Sequence, residues 1–139
     1  MTTVSTRRIL LGDTDAAGIA FTGRLIDVAL EALEQGMFAI GIDFAEAIRT
    51  APVISPIVRV ESDFLRPLRH GDDCRCELVC ERIGTTSYTT RVDLVHAASN
   101  TVAARVHITA ACIDRTAFTP VPVPDAYRAA LMGLMPATP

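Results

Sequence analysis

Between Thr22 and Ile40 the polar residues Asp27, Glu31, Glu34 and Gln35 recur at three-and-four spacing. Leu25, Ile26, Val28, Leu30, Leu33, Met37 and Phe38 fill most of the remaining circumference. That periodicity, free of proline, predicts one long helix, and a helix so broadly apolar is expected to be largely buried. After Gly41 the rhythm shifts. Asp43–Thr50 suits a short helix ending before Pro52, and from there apolar positions alternate with period two. In Ile54–Phe64, Val58, Val60 and Phe64 share one face while Arg59, Glu61 and Asp63 share the other. In Asp73–Ile83 the apolar face carries Cys74, Cys76, Leu78 and Cys80. Tyr88, Val92 and Leu94, then Val102, Val106, Ile108 and Cys112, continue the pattern in two further strands. Strands with one apolar and one charged face suit an antiparallel sheet with one side in water.

A first strand is expected over Thr3–Leu11, followed by a turn at Asp13–Gly18. Pro120, Pro122 and Pro124 lead to a short helix over Asp125–Met132. At the hairpin around Gly84, charge selects the register. Arg75 opposite Asp93 and Glu77 opposite Arg91 attract, whereas Glu77 opposite Asp93 repels, so the former is expected. One buried helix ahead of amphipathic strands predicts an α+β arrangement, a sheet wrapped around the helix. The open edges of such a sheet make pairing with a second copy the expectation.

Composition narrows the class. Of 139 residues 50% are hydrophobic and 21% charged, with net charge -3, which suits one folded domain and excludes a disordered chain. All 13 basic residues are arginine, scattered among 16 acidic ones, so the chain offers no footprint for a nucleic-acid duplex. Arg7-Arg8 is followed by only three apolar residues, and no apolar run approaches the ~20 residues of a membrane span. Four cysteines without a secretory leader read as free thiols of a cytoplasmic protein.

The run Gly12-Asp13-Thr14-Asp15-Ala16-Ala17-Gly18-Ile19-Ala20-Phe21, leading into the long helix, resembles the opening of the 4-hydroxybenzoyl-CoA thioesterase family of hotdog-fold proteins. Asp63-Phe64-Leu65-Arg66-Pro67-Leu68-Arg69-His70-Gly71-Asp72 is similar to the family's strand-to-turn segment, and Ile113-Asp114-Arg115 before the prolines is a weaker echo. The GDTDAAG and DFLRP segments resemble most the family's 1,4-dihydroxy-2-naphthoyl-CoA hydrolases. The resemblance implies the hotdog fold, a curled antiparallel sheet around a central helix. It also implies a homodimer or homotetramer with acyl-CoA held between subunits, and hydrolysis of an aryl- or acyl-CoA thioester. Asp15 matches the family's catalytic carboxylate. Thr22 stands where relatives often carry Tyr or His, which keeps a non-catalytic acyl-binding or scaffold protein as the second reading. A hotdog dehydratase would need a histidine paired with an acid around the helix start, and none stands there.

Thioester hydrolysis needs a carboxylate or an activated water at the carbonyl carbon, and donors for the developing oxyanion. A turn that feeds a helix N-terminus supplies both, because the first helical N–H groups lack internal partners at the positive end of the helix dipole. The backbone N–H of Thr22, helped by that of Phe21, is expected to polarise the thioester oxygen. Asp15 then attacks directly or serves as general base, and Gly18 lets the acyl group approach. A plain turn or capping role is the alternative for Asp15, against which the family resemblance favours catalysis, and Asp13 is read as a turn stabiliser. Glu31 and Glu34, on the helix's polar stripe, are reserve bases or solvated residues. Cys74, Cys76 and Cys80 lack a zinc-like spacing and read as core residues, so no metal is expected. His96 falls on the inward parity, His107 on the outward one and His70 in a turn. No cofactor is implied beyond the coenzyme A of the substrate. Its phosphates call for arginines in an acidic chain: Arg82 with Thr85, Thr86 and Ser87 at the hairpin, and Arg66 or Arg69 before Gly71.

Overall fold

The computed structural model describes residues 2–136. Strand β1 (Thr2–Arg8) opens the chain, and a short 3-10 turn (Leu11–Asp13) follows. Then come helices α1 (Thr22–Ala39) and α2 (Phe44–Thr50). Strands β2 (Val53–Ile54), β3 (Ile57–Phe64), β4 (Asp73–Ile83), β5 (Ser87–His96), β6 (Thr101–Ala111) and β7 (Ile113–Asp114) lead to helix α3 (Asp125–Met132). Five strands form one antiparallel sheet in the order β1-β4-β5-β6-β3, and β2 pairs with β7. The sheet curls around α1, as the alternation and the resemblance require.

Helix α1 packs over β1, β4, β5 and β6. Val28, Ala29, Ala32 and Met37 meet an inner sheet face built from Cys76, Leu78, Val92, Leu94, Val106 and Ile108, all 0–1% exposed. Each such Val, Leu or Ile contributes roughly 1.5–3 kcal/mol by leaving water. The cysteines at 74, 76, 80 and 112 are buried in this core as free thiols. Gly41, at φ +94°, ends the helix: Gly41 N–H donates to Phe38 O (3.0 Å) and Ile42 N–H to Met37 O (2.9 Å). That is the left-handed C-terminal cap that glycine alone enters without strain.

Four expectations need correction. The first strand stops at Arg8, because residues 11–13 wind into the 3-10 turn and leave Leu10 and Leu11 exposed. Helix α1 buries one face rather than nearly all: Phe38 is 66% exposed, and Ile26 and Leu30 are half-buried. The segment Ile54–Phe64 breaks at Ser55-Pro56 into β2 and β3. Along β3 the alternating apolar side is open, with Val58, Val60 and Phe64 all exposed, since β3 lies at the sheet edge beyond the reach of α1.

The register is also the one that charge seemed to forbid. Glu77 lies opposite Asp93, and Arg75 opposite Val95. The turn decides this. Gly84 N–H closes on Ser87 O at 2.7 Å, Ile83 pairs with Tyr88, and a bulge between Cys80 and Arg82 shifts the ladder by one. The like charges are each neutralised elsewhere: Arg75 Nε donates to Glu77 (2.7 Å), while Arg91 (3.1 Å) and Arg105 (2.9 Å) both reach Asp93.

Candidate active site

Residues 14–20 form a small loop in which Thr14 bridges to Ala20 and Asp15 N–H donates to Ile19 O (2.9 Å). Gly18 turns it at φ +74°. The loop is stitched to the 66–72 turn by Ala20 N–H to Leu68 O (2.8 Å) and His70 N–H to Gly18 O (2.9 Å). Beneath it Asp13, 4% exposed, accepts from Leu10 N–H (2.9 Å), Arg7 Nη2 (3.0 Å) and Arg24 Nε (2.7 Å). Burial pushes its carboxyl up, but the Leu10 amide and the two guanidinium groups outweigh it and hold the group below the ordinary carboxylate range. Asp13 therefore stabilises the turn as expected, and it also pins the first turn of α1 through Arg24. That clamp is not legible in the sequence, because its two arginines stand on separate elements.

Asp15 sits on the exposed side of this loop. Its Oδ1 accepts from Ala17 N–H (2.8 Å) and Ile19 N–H (3.3 Å), and among the described residues nothing donates to Oδ2. The capping role is thus present, and one oxygen remains free. Phe21 is not an oxyanion donor: its N–H is taken by Asp13 O (3.2 Å). The N–H groups of Thr22 and Gly23 have no acceptor among the described residues, since Phe21 enters the helix extended and without a side-chain cap. Gly23, overlooked in the sequence, is the second bare donor.

Thr22 borders a groove of about 280 Å³, lined by Ile19, Ala20, Thr22 and Leu25 on one wall and Phe64 through Pro67 on the other; Gly23 is not among the lining residues. Arg66 belongs to that wall. Asp15 is not among the lining residues, although its loop partner Ile19 is. Arg69 and His70 lie in the adjoining turn, exposed. Arg82, Thr85, Thr86 and Ser87 stand at the far end of β4, ten strand steps or roughly 33 Å from Asp73, and do not meet Asp15 within one chain. That hairpin packs on the C-terminal segment, with Arg128 Nη2 donating to Gly84 O (2.7 Å). Glu31 is engaged by Arg7 (3.2 Å) and Arg24 (3.1 Å), while Glu34 is exposed on α1. His107 pairs with Glu81 (2.5 Å) on the outer sheet face, and His96 is held by Ser99 (2.7 Å).

A second, larger cavity of about 510 Å³ opens between α2 and the inner sheet face, lined by Leu33, Phe44, Ile48, Ile57, Tyr88 and Ile108 among others. Helix α2 walls it without one fully buried residue of its own. Caps hold it there: Asp43 accepts from Ala45 N–H (2.9 Å), and Arg115 donates to the carbonyls of Ala47 (2.9 Å), Ala51 (2.8 Å) and Ile48. Burial pushes the Tyr88 hydroxyl's pKa up, so it stays a neutral donor.

An antiparallel sheet curled around one long helix is the hotdog fold. Over residues 9–131 the chain matches the thioesterase-like superfamily, and it belongs to that family. The 1,4-dihydroxy-2-naphthoyl-CoA hydrolase of Rippkaea orientalis is 39% identical over 100 residues, covering 70% of this chain and 72% of that one. The crystal structure of the 1,4-dihydroxy-2-naphthoyl-CoA thioesterase from Synechocystis superposes with TM-score 0.87 at 22% identity, over 95% of this chain and 96% of that one. That of a thioesterase-superfamily protein from Jannaschia sp. CCS1 does so with TM-score 0.85 at 31% identity, covering 96% and 92%. No helix among the described residues is long and apolar enough to cross a membrane.

Proposed function

We propose that the chain hydrolyses aryl- or acyl-CoA thioesters at the groove where α1 begins, as a homo-oligomer joined along β3. The observation that carries this reading is the unsatisfied N–H of Thr22, a lining residue of the groove, with that of Gly23 next to it in the chain, beside a loop that holds a half-free carboxylate. The amides receive the thioester oxygen as it becomes an oxyanion. Asp15 Oδ2 draws a proton from water, or itself attacks and is later released by water. Either way a C–O bond forms at the carbonyl carbon and the C–S bond breaks. Sulfur leaves with its electron pair and takes up a proton, and a carboxylate results. Free cysteines throughout the core are in keeping with a reducing, cytoplasmic setting.

The second copy follows from the edge strand. Among the described residues no strand pairs with the outer edge of β3, and its apolar side is partly open at Ile57, Val60 and Phe64. Antiparallel pairing of β3 with its own copy sets Ile57 of one chain near Phe64 of the other. Ile57 lines the large cavity and Phe64 the groove. Pairing therefore places an apolar chamber sized for a bulky acyl group beside the bare amides, and brings the Gly84 hairpin of the second copy, with Arg82, Thr85, Thr86 and Ser87, to the same end of the assembly as Asp15.

Thiol release from benzoyl-, naphthoyl- and straight-chain acyl-CoA, with wild type and Asp15→Asn of equal circular dichroism, tests the reading. Turnover by wild type and a loss of about 100-fold in the variant is expected. Equal rates would remove Asp15 from the chemistry, and no turnover on any thioester would leave an acyl-binding protein.

A further inference from the structure

We propose that Arg66 is a fixed anion receptor in the groove at the start of α1, seated by Ser99, Thr101, His96 and Asp72, and that the charge it meets is the acyl oxygen of the thioester, as oxyanion in transit and as carboxylate in the product. This rests on the hydrolytic reading above for the identity of the anion, though not for its binding. Arg7 and Arg24, beneath the loop, neutralise carboxylates. Arg66 does not. Its Nη1 donates to two neutral hydroxyls, Ser99 Oγ (2.8 Å) and Thr101 Oγ1 (2.7 Å), which touch each other at 2.8 Å. Ser99 Oγ meets His96 Nδ1 at 2.7 Å, His96 Nε2 lies 3.5 Å from Asp72 Oδ2, and that oxygen accepts from Arg69 N–H (2.8 Å).

A continuous chain of polar contacts thus ties the guanidinium to the turn at 97–100 and back to its own turn at 66–72. It fixes position without cancelling charge, because among the described residues the guanidinium's hydrogen bonds go to two hydroxyls. Among the described residues only Nη1 of the guanidinium is bonded, which leaves Nη2 as a charged donor for an acceptor that a ligand brings. The planar fork suits a carboxylate-shaped anion. Arg66 shares the groove with Thr22, so the anion it receives lies at the thioester end. The coenzyme phosphates, a whole pantetheine arm away, fit this position less well. Bare amides on one wall and an uncancelled guanidinium on the other converge on one negative oxygen.

Two measurements separate this from the hydrolytic reading. In the first, benzoate is titrated into the intact protein and followed by amide shifts. Binding should move the Thr22 and Gly23 signals. Arg66→Met should weaken it at least about tenfold, the scale of one charge-assisted hydrogen bond, and Arg66→Lys should restore part of it. In the second, Arg66→Met should lower kcat about 100-fold, as for a lost oxyanion donor, with KM little changed. A Ser99→Ala/Thr101→Val pair, which keeps the charge and removes its seat, should lower kcat by about tenfold. If wild type binds no benzoate, or if Arg66→Met binds it as well as wild type does, the receptor is wrong. If benzoate binding depends on Arg66 while no CoA thioester is turned over, the receptor stands and the hydrolytic reading falls. Turnover indifferent to Arg66 would confine it to product binding and overturn its role in the reaction.

Discussion

Replacing Gly36 by alanine sets two known effects against each other at one atom. Gly36 lies inside α1, where alanine is favoured over glycine by about 1 kcal/mol in an open helix. Here the space is not open. A Cβ at this position would overlap Leu78 Cδ2 and come 2.9 Å from Val4 Cγ1. Leu78 is 0% exposed, with β1 and β5 on either side of its strand, so its methyl group has little room to withdraw. Forcing a methyl group into a filled core costs about 1–3 kcal/mol, and contacts this short put the cost in the upper half of that range. The clash wins. Gly36→Ala should lose a net 1–2 kcal/mol, roughly 3–8 °C in Tm for a chain of this size. Urea melts of wild type, Gly36→Ala, Leu78→Val and the double variant would measure it. The double variant should be more stable than the sum of the singles, because the shortened side chain vacates the contested space. A Gly36→Ala protein as stable as wild type would mean that helix and sheet are not in contact at this point.

Three further outcomes follow from the clamp, the cavity wall and the edge. Asp13→Asn keeps an acceptor for Leu10 but loses both ion pairs. It should cost about 2–3 kcal/mol, less than a fully buried pair because Arg7 and Arg24 remain partly in water. Since folding lowers the Asp13 pKa, its contribution is present above the ordinary carboxylate pKa of 3.8 and is lost as pH falls through the folded value. Acid titration of stability should therefore be flatter in Asp13→Asn than in wild type. Arg115→Met strips the donors from the C-terminal carbonyls of α2, and hydrogen exchange should accelerate across residues 44–50 while the β4–β5 ladder keeps its protection. Val60→Glu, at an edge site 38% exposed, should leave the monomer fold intact, halve the mass seen by light scattering and lower turnover; an unchanged mass would place the interface elsewhere.

Legibility followed the range of the interaction. Helix α1, the β4 boundaries and α3 could be read from periodicity and local chemistry, because apolar spacing, proline and glycine act within a few residues. The register could not. Charge pairing across two strands pointed to Arg75 opposite Asp93, yet Glu77 faces Asp93, because turn closure and a bulge fix the ladder while Arg75, Arg91 and Arg105 remove the repulsion. The site divides in the same way. Thr22 as a bare donor was legible from its place before a long helix. The occupied N–H of Phe21, the Asp13 clamp and the seat of Arg66 were not, since each depends on groups brought together from distant segments.

The edge strand carries the more general consequence. Alternation in Ile54–Phe64 reported correctly that one side of this segment is apolar, and nothing in alternation says what covers that side. For β4, β5 and β6 the answer is α1, whose buried face spans them. One helix does not also cover β3 fully, so Ile57, Val60 and Phe64 remain 38–45% exposed. Exposed singly, such residues need no explanation. Lined along a sheet edge whose two ends border the cavity and the groove, they suit the strand-to-strand pairing proposed above. Under that proposal the shortfall in what α1 can bury is the reason that catalysis would need two copies: the uncovered side that would drive pairing would also bring the acyl chamber of one chain to the amides of the other. A monomeric Val60→Glu protein that still hydrolyses a bulky acyl-CoA at the wild-type rate would break that link, and would place the acyl group within the 280 Å³ groove of a single chain.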